Sequence, residues 1–256
     1  MTVVAVLGLG EAGSLLAADL VAAGVDVRGH DPGPGRDVPG LSRRAEAADA
    51  VAGSEVVLSV NTAAAALAAA QAALPALAGS TLYADLNTAS PELKRELAET
   101  ITGSGASFAD VALLGPVAPR GLRTPTIASG GGAQAFADVL GPLGMPVEVV
   151  SERPGDAAAL KLLRSVFMKG IAAAAIESVE GAEAAGQAEW VKREIAAVIG
   201  EPFLERLLEG SRTHAARRTD EMEAARDLLF ELGVEPRIAT ATAAVLADLT
   251  GAPRDA

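Results

Sequence analysis

The 256-residue chain contains no cysteine and only two histidines. The absence of cysteine excludes disulfides, thiol nucleophiles and thiolate metal sites. No spacing of histidine and carboxylate residues is typical of zinc, so we expect no metal site. Aromatic residues make up 3% of the chain, although 50% of it is apolar. We therefore expect a core filled mostly by alanine, leucine and valine, which suits closely packed helices.

Positive charge is also scarce, because 21 Lys and Arg residues face 33 Asp and Glu residues and the formal net charge is −12. Nucleic acids and anionic membranes attract proteins with a surplus of Lys and Arg, so neither is expected as a partner. The N-terminal segment lacks the basic start of a signal peptide, and no stretch reaches the roughly 20 apolar residues of a membrane span. These features predict a cytoplasmic protein.

The N-terminal part of the chain alternates short apolar runs with alanine-rich segments. Short apolar runs are typical of strands buried on both faces, and strand–helix alternation is typical of a parallel sheet. The predicted strands are 3–7, 25–28, 56–60, 81–84, 108–112, 126–128 and 147–150, and the predicted helices between them are 13–23, 63–77, 91–102 and 133–140. The pattern predicts an α/β fold of the Rossmann type, with a doubly wound parallel sheet.

The pattern changes after Pro154. Asp156 is a suitable N-cap for a helix that runs with few breaks to about residue 185. The further predicted helices are 188–199, 202–209, 211–232 and 236–250, and no strand is predicted among them. We therefore predict two domains, a Rossmann domain over residues 1–153 and an all-α domain over residues 154–256.

A G-x-G-x-x-G motif lies between the first predicted strand and the first predicted helix. Gly8 permits the tight turn, Gly10 lets a pyrophosphate approach the backbone, and Gly13 lets the helix pack closely on the strand. The helix N-terminus then presents free N–H groups to the phosphates. The alternative is an ordinary strand–helix turn. The residues predicted to hold a dinucleotide are Gly8, Leu9, Gly10, Glu11, Ala12 and Gly13.

Asp31 closes the second predicted strand and is expected to accept hydrogen bonds from the adenosine ribose. Its charge repels a 2′-phosphate, which favours NAD over NADP. Two alternatives stay open, because Asp before Pro is also a common turn former and Arg36 lies close enough in sequence to bind a 2′-phosphate.

Polar residues follow two of the predicted strands, where ligands bind in open α/β sheets. Asn61 and Thr62 follow one strand, and Asn87 and Thr88 follow the other. We assign them to the nicotinamide ribose or the substrate edge, although helix caps have the same pattern. Asp85 is interpreted as structural, and Tyr83, Trp190 and the phenylalanines are interpreted as core.

Four segments together resemble the β-hydroxyacid dehydrogenase superfamily, which includes 3-hydroxyisobutyrate dehydrogenase and 6-phosphogluconate dehydrogenase. They are the glycine loop at 8–13, Asp-Leu-Asn-Thr-Ala-Ser-Pro at 85–91, Phe-Ala-Asp-Val-Ala-Leu-Leu-Gly at 108–115, and Gly-Asp-Ala-Ala-Ala-Leu-Lys-Leu-Leu-Arg-Ser at 155–165. Segments 164–170 and 214–222 look typical of a branch with a short phosphogluconate-dehydrogenase-like C-terminal domain.

The resemblance implies reversible hydride transfer between a nicotinamide and a hydroxy acid, with Lys161 as general acid and base. Three substrate contacts of the family differ in this chain. The asparagine four residues after the lysine is Ser165, the Ser-Gly-Gly motif is replaced at 114–116, and the later Lys-Asp pair is replaced at Asp220 and Glu221.

Helical spacing places Lys161, Arg164 and Ser165 on one face of the predicted long helix, with Lys169 at its edge and apolar residues opposite. We expect this face to meet the nicotinamide end of the sheet. Burial and the charge of Arg164 are expected to lower the pKa of Lys161 so that it can transfer a proton. Ser165 is predicted to hold the substrate, assisted by Arg164 and Lys169.

A basic cluster stands out later in this acidic chain. His214, Arg217 and Arg218 follow i, i+3, i+4 spacing on a predicted helix, so they are expected to share a face. We predict that an arginine anchors the acid group of the substrate, reaching in from a partner subunit, whereas a solvated helix face is the alternative. The apolar C-terminal helices predict a homodimer that pairs through them.

The residues and the resemblance together predict an NAD(P)-dependent oxidoreductase acting on a small hydroxy or oxo acid. Two alternatives are an imine-reductase-like enzyme and a catalytically silent dinucleotide-binding protein.

Overall fold

The computed structural model describes residues 2–251. The chain divides into two compact units, Met1–Ala159 and Leu160–Ala256. The division falls a few residues after the predicted boundary at 153, within the first turns of a long helix.

The first unit contains one eight-stranded sheet with the strand order β3-β2-β1-β4-β5-β6-β7-β8. The strands are β1 (Val3–Leu7), β2 (Asp26–His30), β3 (Ser42–Arg43), β4 (Val56–Ser59), β5 (Leu82–Asp85), β6 (Ser107–Leu113), β7 (Thr126–Ser129) and β8 (Val147–Ser151). All seven predicted strands are present. The additional strand, β3, has two residues and is too short to produce a pattern in the sequence.

One pair of strands departs from the predicted parallel arrangement, because β7 runs antiparallel to β6 while all other neighbours are parallel. Parallel strands need a long crossover, usually a helix. Residues 114–125, all described, join β6 to β7 with a single 3₁₀ turn at Gly121–Arg123. This connection provides no crossover helix, so the chain returns beside β6 in the opposite direction.

Helices cover both faces of this sheet, as expected of a doubly wound fold. They are α1 (Glu11–Ala22), α2 (Ala47–Val51), α3 (Ala63–Ala73), α4 (Pro91–Thr102) and α5 (Ala133–Leu140). Alternate residues of β1 enter two separate apolar clusters, Val4 and Val6 on one face and Ala5 and Leu7 on the other. Both faces of β1 are therefore buried, which explains its uninterrupted apolar sequence.

The second unit is helical throughout its described part, as predicted. Its helices are α6 (Asp156–Ala184), which begins in the first unit, α7 (Ala188–Ile199), α8 (Glu201–Thr213), α9 (Ala215–Glu231) and α10 (Arg237–Asp248). The single helix predicted over 211–232 is wrong, because the chain breaks at His214, whose φ of −123° and ψ of 28° are not helical. None of the helices within residues 2–251 is long and apolar enough to cross a membrane.

The aromatic residues divide between core and surface. Tyr83 is buried and stacks on Phe108, with ring centroids 6.5 Å apart. Phe167, Trp190 and Phe230 are 67%, 56% and 56% exposed, so their interpretation as core is wrong for this chain. All three lie on helices of the second unit, which alone does not cover them.

Candidate functional site

The glycine loop connects β1 to α1 with the close contacts that its motif predicts. A side chain at Gly8, where φ is +102°, would lie 2.3 Å from the carbonyl oxygen of Val60, and one at Gly13 would lie 2.0 Å from the carbonyl oxygen of Gly8. Gly10, by contrast, faces open space, with no atom within 4 Å of a Cβ placed there. No side chain caps the first turn of α1, which is fully described. The open loop and the uncapped amide groups fit the pyrophosphate of a dinucleotide.

Asp31 connects the end of β2 to this loop. One carboxylate oxygen accepts the backbone N–H of Leu9 at 2.6 Å, and the other accepts that of Gly33 at 2.8 Å. Each oxygen retains a further lone pair for a ribose hydroxyl. The predicted cofactor residues of the loop and β2 are therefore close together.

Two arginines lie around the same loop. The Arg43 guanidinium donates to the carbonyl oxygen of Gly33 at 2.9 Å, and Arg36 is exposed, with its backbone N–H bonded to Leu9. Arg36 was considered from the sequence, whereas Arg43 was missed because β3 is too short to be predicted. The Arg43 guanidinium and the backbone of Arg36 thus both lie beside the loop that Asp31 holds.

The carboxyl ends of β4 and β5 meet, as the sequence predicts. The Asn87 side chain accepts the backbone N–H of Asn61 at 2.5 Å and donates to Ser59 at 3.2 Å and to Asp85 at 2.5 Å. Asn87 is 4% exposed. Its buried side chain therefore fixes the position of the Asn61 backbone. Thr62 caps α3 by accepting the N–H of Ala65.

A buried ion triad lies below these strand ends. Lys94 of α4, 1% exposed, donates to the carboxylate of Asp85 at 2.7 Å and lies 3.1 Å from that of Asp110. Burial lowers the pKa of Lys94, but the charges of Asp85 and Asp110 outweigh burial and raise it overall. Asp85 is therefore structural, as interpreted from the sequence.

The same triad holds the start of α6. The second oxygen of Asp110 accepts the backbone N–H groups of Gly155 at 3.1 Å and Ala158 at 3.0 Å, and the hydroxyl of Ser129 at 3.1 Å. These bonds explain why residues up to 159 belong to the first unit. Lys94 and Asp110 were both missed from the sequence, although Lys94 lies on the buried stripe of α4.

In the second unit, Glu221 accepts hydrogen bonds from two residues that the sequence assigned to the substrate site. Ser165, 1% exposed, donates to Glu221 of α9 at 2.5 Å, and Lys169 donates to the same oxygen at 2.8 Å and to Ser165 at 3.0 Å. The sequence identified Glu221 only as a departure from the family. The structure makes this α9 carboxylate the shared acceptor of two α6 side chains.

These contacts set the ionisation of the pair. Burial lowers the pKa of Lys169, the attraction of Glu221 opposes this, and the nearby charges of Arg218 and Arg164 lower it further. Burial raises the pKa of Glu221, but Lys169 and Lys161 outweigh burial, so its pKa is lowered overall. The lowered pKa of Glu221 favours its charged carboxylate, which accepts from both donors. Lys161 itself is partly exposed, and Arg164 is exposed.

The three residues of the predicted basic face differ in their surroundings. His214 lies at the break between α8 and α9 and is exposed. Arg218 is half-buried and donates to Ser211 of α8 at 2.6 Å, whereas Arg217 is exposed. Burial and the charge of Arg217 lower the pKa of Arg218, partly offset by Glu221. Within residues 2–251, no cluster of three or more His, Asp or Glu residues is arranged to hold a metal ion.

Two family models match the chain. Residues 3–145, more than half of the chain, match the NAD binding domain of 6-phosphogluconate dehydrogenase. Residues 182–249 match a domain of unknown function, DUF1932. Among curated proteins, an uncharacterized 28.5 kDa protein of Methanothermus fervidus is 28% identical over 144 residues. That match covers 55% of this chain and 55%, about half, of the relative's length.

Solved structures match over nearly the whole chain. The conserved protein MTH1747, of unknown function and described as similar in structure to 3-hydroxyacid dehydrogenases, is 31% identical, with a TM-score of 0.74 and 97% of each chain covered. A Mycobacterium tuberculosis 3-hydroxyisobutyrate dehydrogenase shares the fold at 22% identity and a TM-score of 0.80, over 98% of this chain and 94% of the other. An imine reductase from Myxococcus stipitatus, in complex with NAD⁺, shares it at 19% identity and a TM-score of 0.61, with the same coverage.

The glycine loop, the strand order and these matches agree. The chain therefore belongs to the β-hydroxyacid dehydrogenase superfamily, and its first unit is an NAD(P)-binding domain of that superfamily.

Proposed function

We propose that this protein is an NAD(P)-dependent oxidoreductase that transfers a hydride between the nicotinamide and a small hydroxy or oxo acid. The observation that carries the proposal is the glycine loop, because the open position at Gly10 and the uncapped start of α1 fit a pyrophosphate. Membership of a superfamily of hydroxyacid dehydrogenases supports the reaction class. The dinucleotide, when bound, supplies or takes up the hydride.

Residues of the first unit bind and orient the cofactor in this proposal. Amide groups at the start of α1 donate to the phosphates, and the carboxylate of Asp31 accepts the ribose hydroxyls. Asn61 and Thr62 are assigned to the nicotinamide side, and the hydrogen bond from the Asn61 amide to Asn87 supports a fixed backbone there. Asn87 then acts through Asn61, since its own donors are directed to Ser59 and Asp85.

NAD is the proposed cofactor in preference to NADP. The charge of Asp31 opposes a 2′-phosphate, and its hydrogen bonds to Leu9 and Gly33 keep it directed at the loop. Arg36 and Arg43 are the groups that would compensate a 2′-phosphate.

Lys161 is assigned the proton transfer. In reduction its ammonium donates a proton to the substrate oxygen, and in oxidation its neutral amine accepts the hydroxyl proton. A lysine with the usual pKa of about 10.4 is a poor base near neutral pH. Proton transfer in the oxidation direction therefore requires surroundings that favour a neutral amine, such as neighbouring cations or loss of hydration. The Ser165 hydroxyl donates a hydrogen bond to Glu221 and accepts one from Lys169, so we assign Ser165 to fixing Lys169.

The test uses the full-length protein with NADH or NADPH and a panel of oxo acids and hydroxy acids, phosphorylated and not. We expect NADH oxidation with at least one oxo acid. Lys161→Met should lower turnover by about 10²–10⁴-fold, the usual loss for a general acid or base, and leave NADH affinity unchanged. Lys192→Met is the matched control, because Lys192 lies on α7 and pairs with Glu183 at 3.7 Å.

Three outcomes would contradict the proposal. If the Lys161→Met variant retains turnover within a few-fold, the proton transfer belongs to another group. If NADH binds tightly but neither an acid nor a cyclic imine is reduced, the protein is a silent dinucleotide-binding protein. If cyclic imines are reduced and acids are not, the protein is an imine reductase.

A further inference from the structure

Cations surround a single buried carboxylate in the second unit. The α6–α9 cationic cluster consists of Lys161, Arg164, Lys169, Arg217 and Arg218 around Glu221. Helix α6 carries no acidic residue between Asp156 and Glu177, although the whole chain has a formal charge of −12. The cluster is therefore a positively charged region in a molecule whose net charge is negative.

The members of the cluster lie close enough to act on each other. Glu221 accepts from Lys169 at 2.8 Å and is the acceptor of Ser165. Arg164 and Arg218 both depress the pKa of Lys169, in addition to the effect of its burial. Within residues 2–251, Glu221 forms its ion pair with Lys169, and the three arginines add three further positive charges. Glu221 alone does not balance the cluster.

Arg218 is held in place without a counter-charge in contact with it. Its guanidinium donates to Ser211 at 2.6 Å, and that hydroxyl in turn donates to the carbonyl oxygen of Leu207 at 2.7 Å. A side chain at Gly210 would lie 3.0 Å from the Arg218 guanidinium, so glycine there lets the arginine lie against α8. In the part of the chain that the structure describes, neither Arg218 nor Arg164 nor Arg217 forms an ion pair.

A half-buried charge whose hydrogen-bond partner is neutral loses hydration without compensation. Burial is the largest cause of the lowered pKa of Arg218, and Glu221, which is not in contact with it, offsets burial only in part. An anion that reached Arg218 would restore the lost interaction, and the planar guanidinium can offer it two parallel hydrogen bonds. Arg218 is therefore prepared for an oxyanion before the ligand arrives.

We propose that the α6–α9 cationic cluster binds a tetrahedral dianion, a phosphoryl or phosphonyl group, carried by the substrate. A single carboxylate would neutralise one of the surplus charges, whereas a dianion neutralises two and offers three oxygens to the arginines. Arg218 is the anchor, Arg217 and Arg164 are further contacts, and Glu221 holds Lys169 and Ser165 behind them. The identification of the dianion as part of the substrate rests on the proposed oxidoreductase function.

Inorganic phosphate at pH 8 is the probe, titrated into the full-length protein by calorimetry, with acetate at equal ionic strength as the monoanion. We expect phosphate to bind at least ten-fold more tightly than acetate. Arg218→Gln should weaken phosphate binding at least ten-fold. Arg226→Gln is the matched control, because this arginine lies on the same helix and is paired with Asp227 at 2.9 Å; it should leave phosphate binding unchanged.

The inference is overturned if acetate binds as tightly as phosphate, or if Arg218→Gln binds phosphate as the unmodified protein does, since the glycine loop would then be the site. The proposed oxidoreductase function is judged separately by NADH oxidation. If phosphate binding depends on Arg218 but the protein oxidises no NADH, the anion site stands and the proposed reaction is rejected. If the protein oxidises NADH but its phosphate binding does not depend on Arg218, the reaction stands and the anion site is rejected.

Discussion

Asp31 has two functions at one carboxylate. It stabilises the glycine loop by accepting the amide groups of Leu9 and Gly33, and it brings a negative charge to the end of β2, where the proposed adenosine ribose is bound. The neighbouring Arg43 donates to the carbonyl oxygen of Gly33. In our proposal, cofactor choice depends on whether the Asp31 carboxylate or the Arg43 guanidinium dominates beside the 2′ oxygen of the ribose, and the contact of Asp31 with the loop is the reason for expecting NAD.

We predict that the unmodified protein binds NADH more tightly than NADPH, and that Asp31→Asn narrows the difference because it removes the repulsion of a 2′-phosphate. Calorimetry with both cofactors measures this difference in affinity. Asp26→Asn is the control, since Asp26 lies at the opposite end of β2 and its side chain is 40% exposed. Tighter binding of NADPH by the unmodified protein would reverse the assignment and point to Arg43 and Arg36.

At the scale of elements, the start of helix α6 is held by side chains of the sheet and of α4. Asp110 of β6 accepts two of the first free amide groups of this helix, and Lys94 of α4 neutralises Asp110 and Asp85 together. Asp85 in turn accepts from Asn87, which follows β5. One buried lysine thus connects the end of β5 to the start of α6.

Part of this arrangement is readable in the sequence. Lys94 falls on the same helical stripe as the buried residues Leu97, Ala98 and Ile101 of α4, so its spacing indicates burial. Its partners come from two different strands, and no local pattern states which carboxylates a buried lysine meets. The break at His214 is hidden for a similar reason, because neither glycine nor proline marks it.

Lys94→Met should destabilise the protein by about 3–5 kcal/mol, because removing one partner of a buried ion pair leaves the other charge uncompensated. Here two carboxylates lose their cation. Urea unfolding of the unmodified protein and the variant measures the loss, with Lys192→Met as an exposed control that should change stability by less than about 1 kcal/mol. A loss below about 1 kcal/mol for Lys94→Met would show that the triad contributes little.

At the scale of the whole molecule, the order of strands and helices was predictable because it depends on local apolar patterns. Every predicted strand is present, and the glycine loop lies where its motif indicates. The reversed strand β7 and the orientation of Arg218 towards Ser211 were not predictable. They depend on how segments far apart in the chain come together, and one sequence does not record this.

Large apolar side chains are exposed mainly on the second unit. Among residues 2–251, nine of them lie there, and Val149 is the exception on the first unit. The nine are Leu160, Leu163, Phe167, Trp190, Val198, Phe230, Leu232, Val234 and Ile238. Leu160, Leu163 and Phe167 follow i, i+3, i+7 spacing, so they form one apolar stripe on α6. Contiguous apolar surface of this kind mostly marks an interface.

We expect a second copy of this chain to cover that surface, because α6 carries its apolar stripe beside a strongly cationic face, and a pair of such helices can bury the stripes while the cations stay accessible to a substrate. Light scattering at micromolar concentration should give the mass of a dimer. Phe167→Asp should shift the mass towards that of a monomer, since a buried unpaired charge is costly, whereas Val149→Asp should leave it unchanged. A monomeric mass for the unmodified protein would contradict pairing through the C-terminal helices, and would leave Arg217 and Arg218 to act within their own subunit.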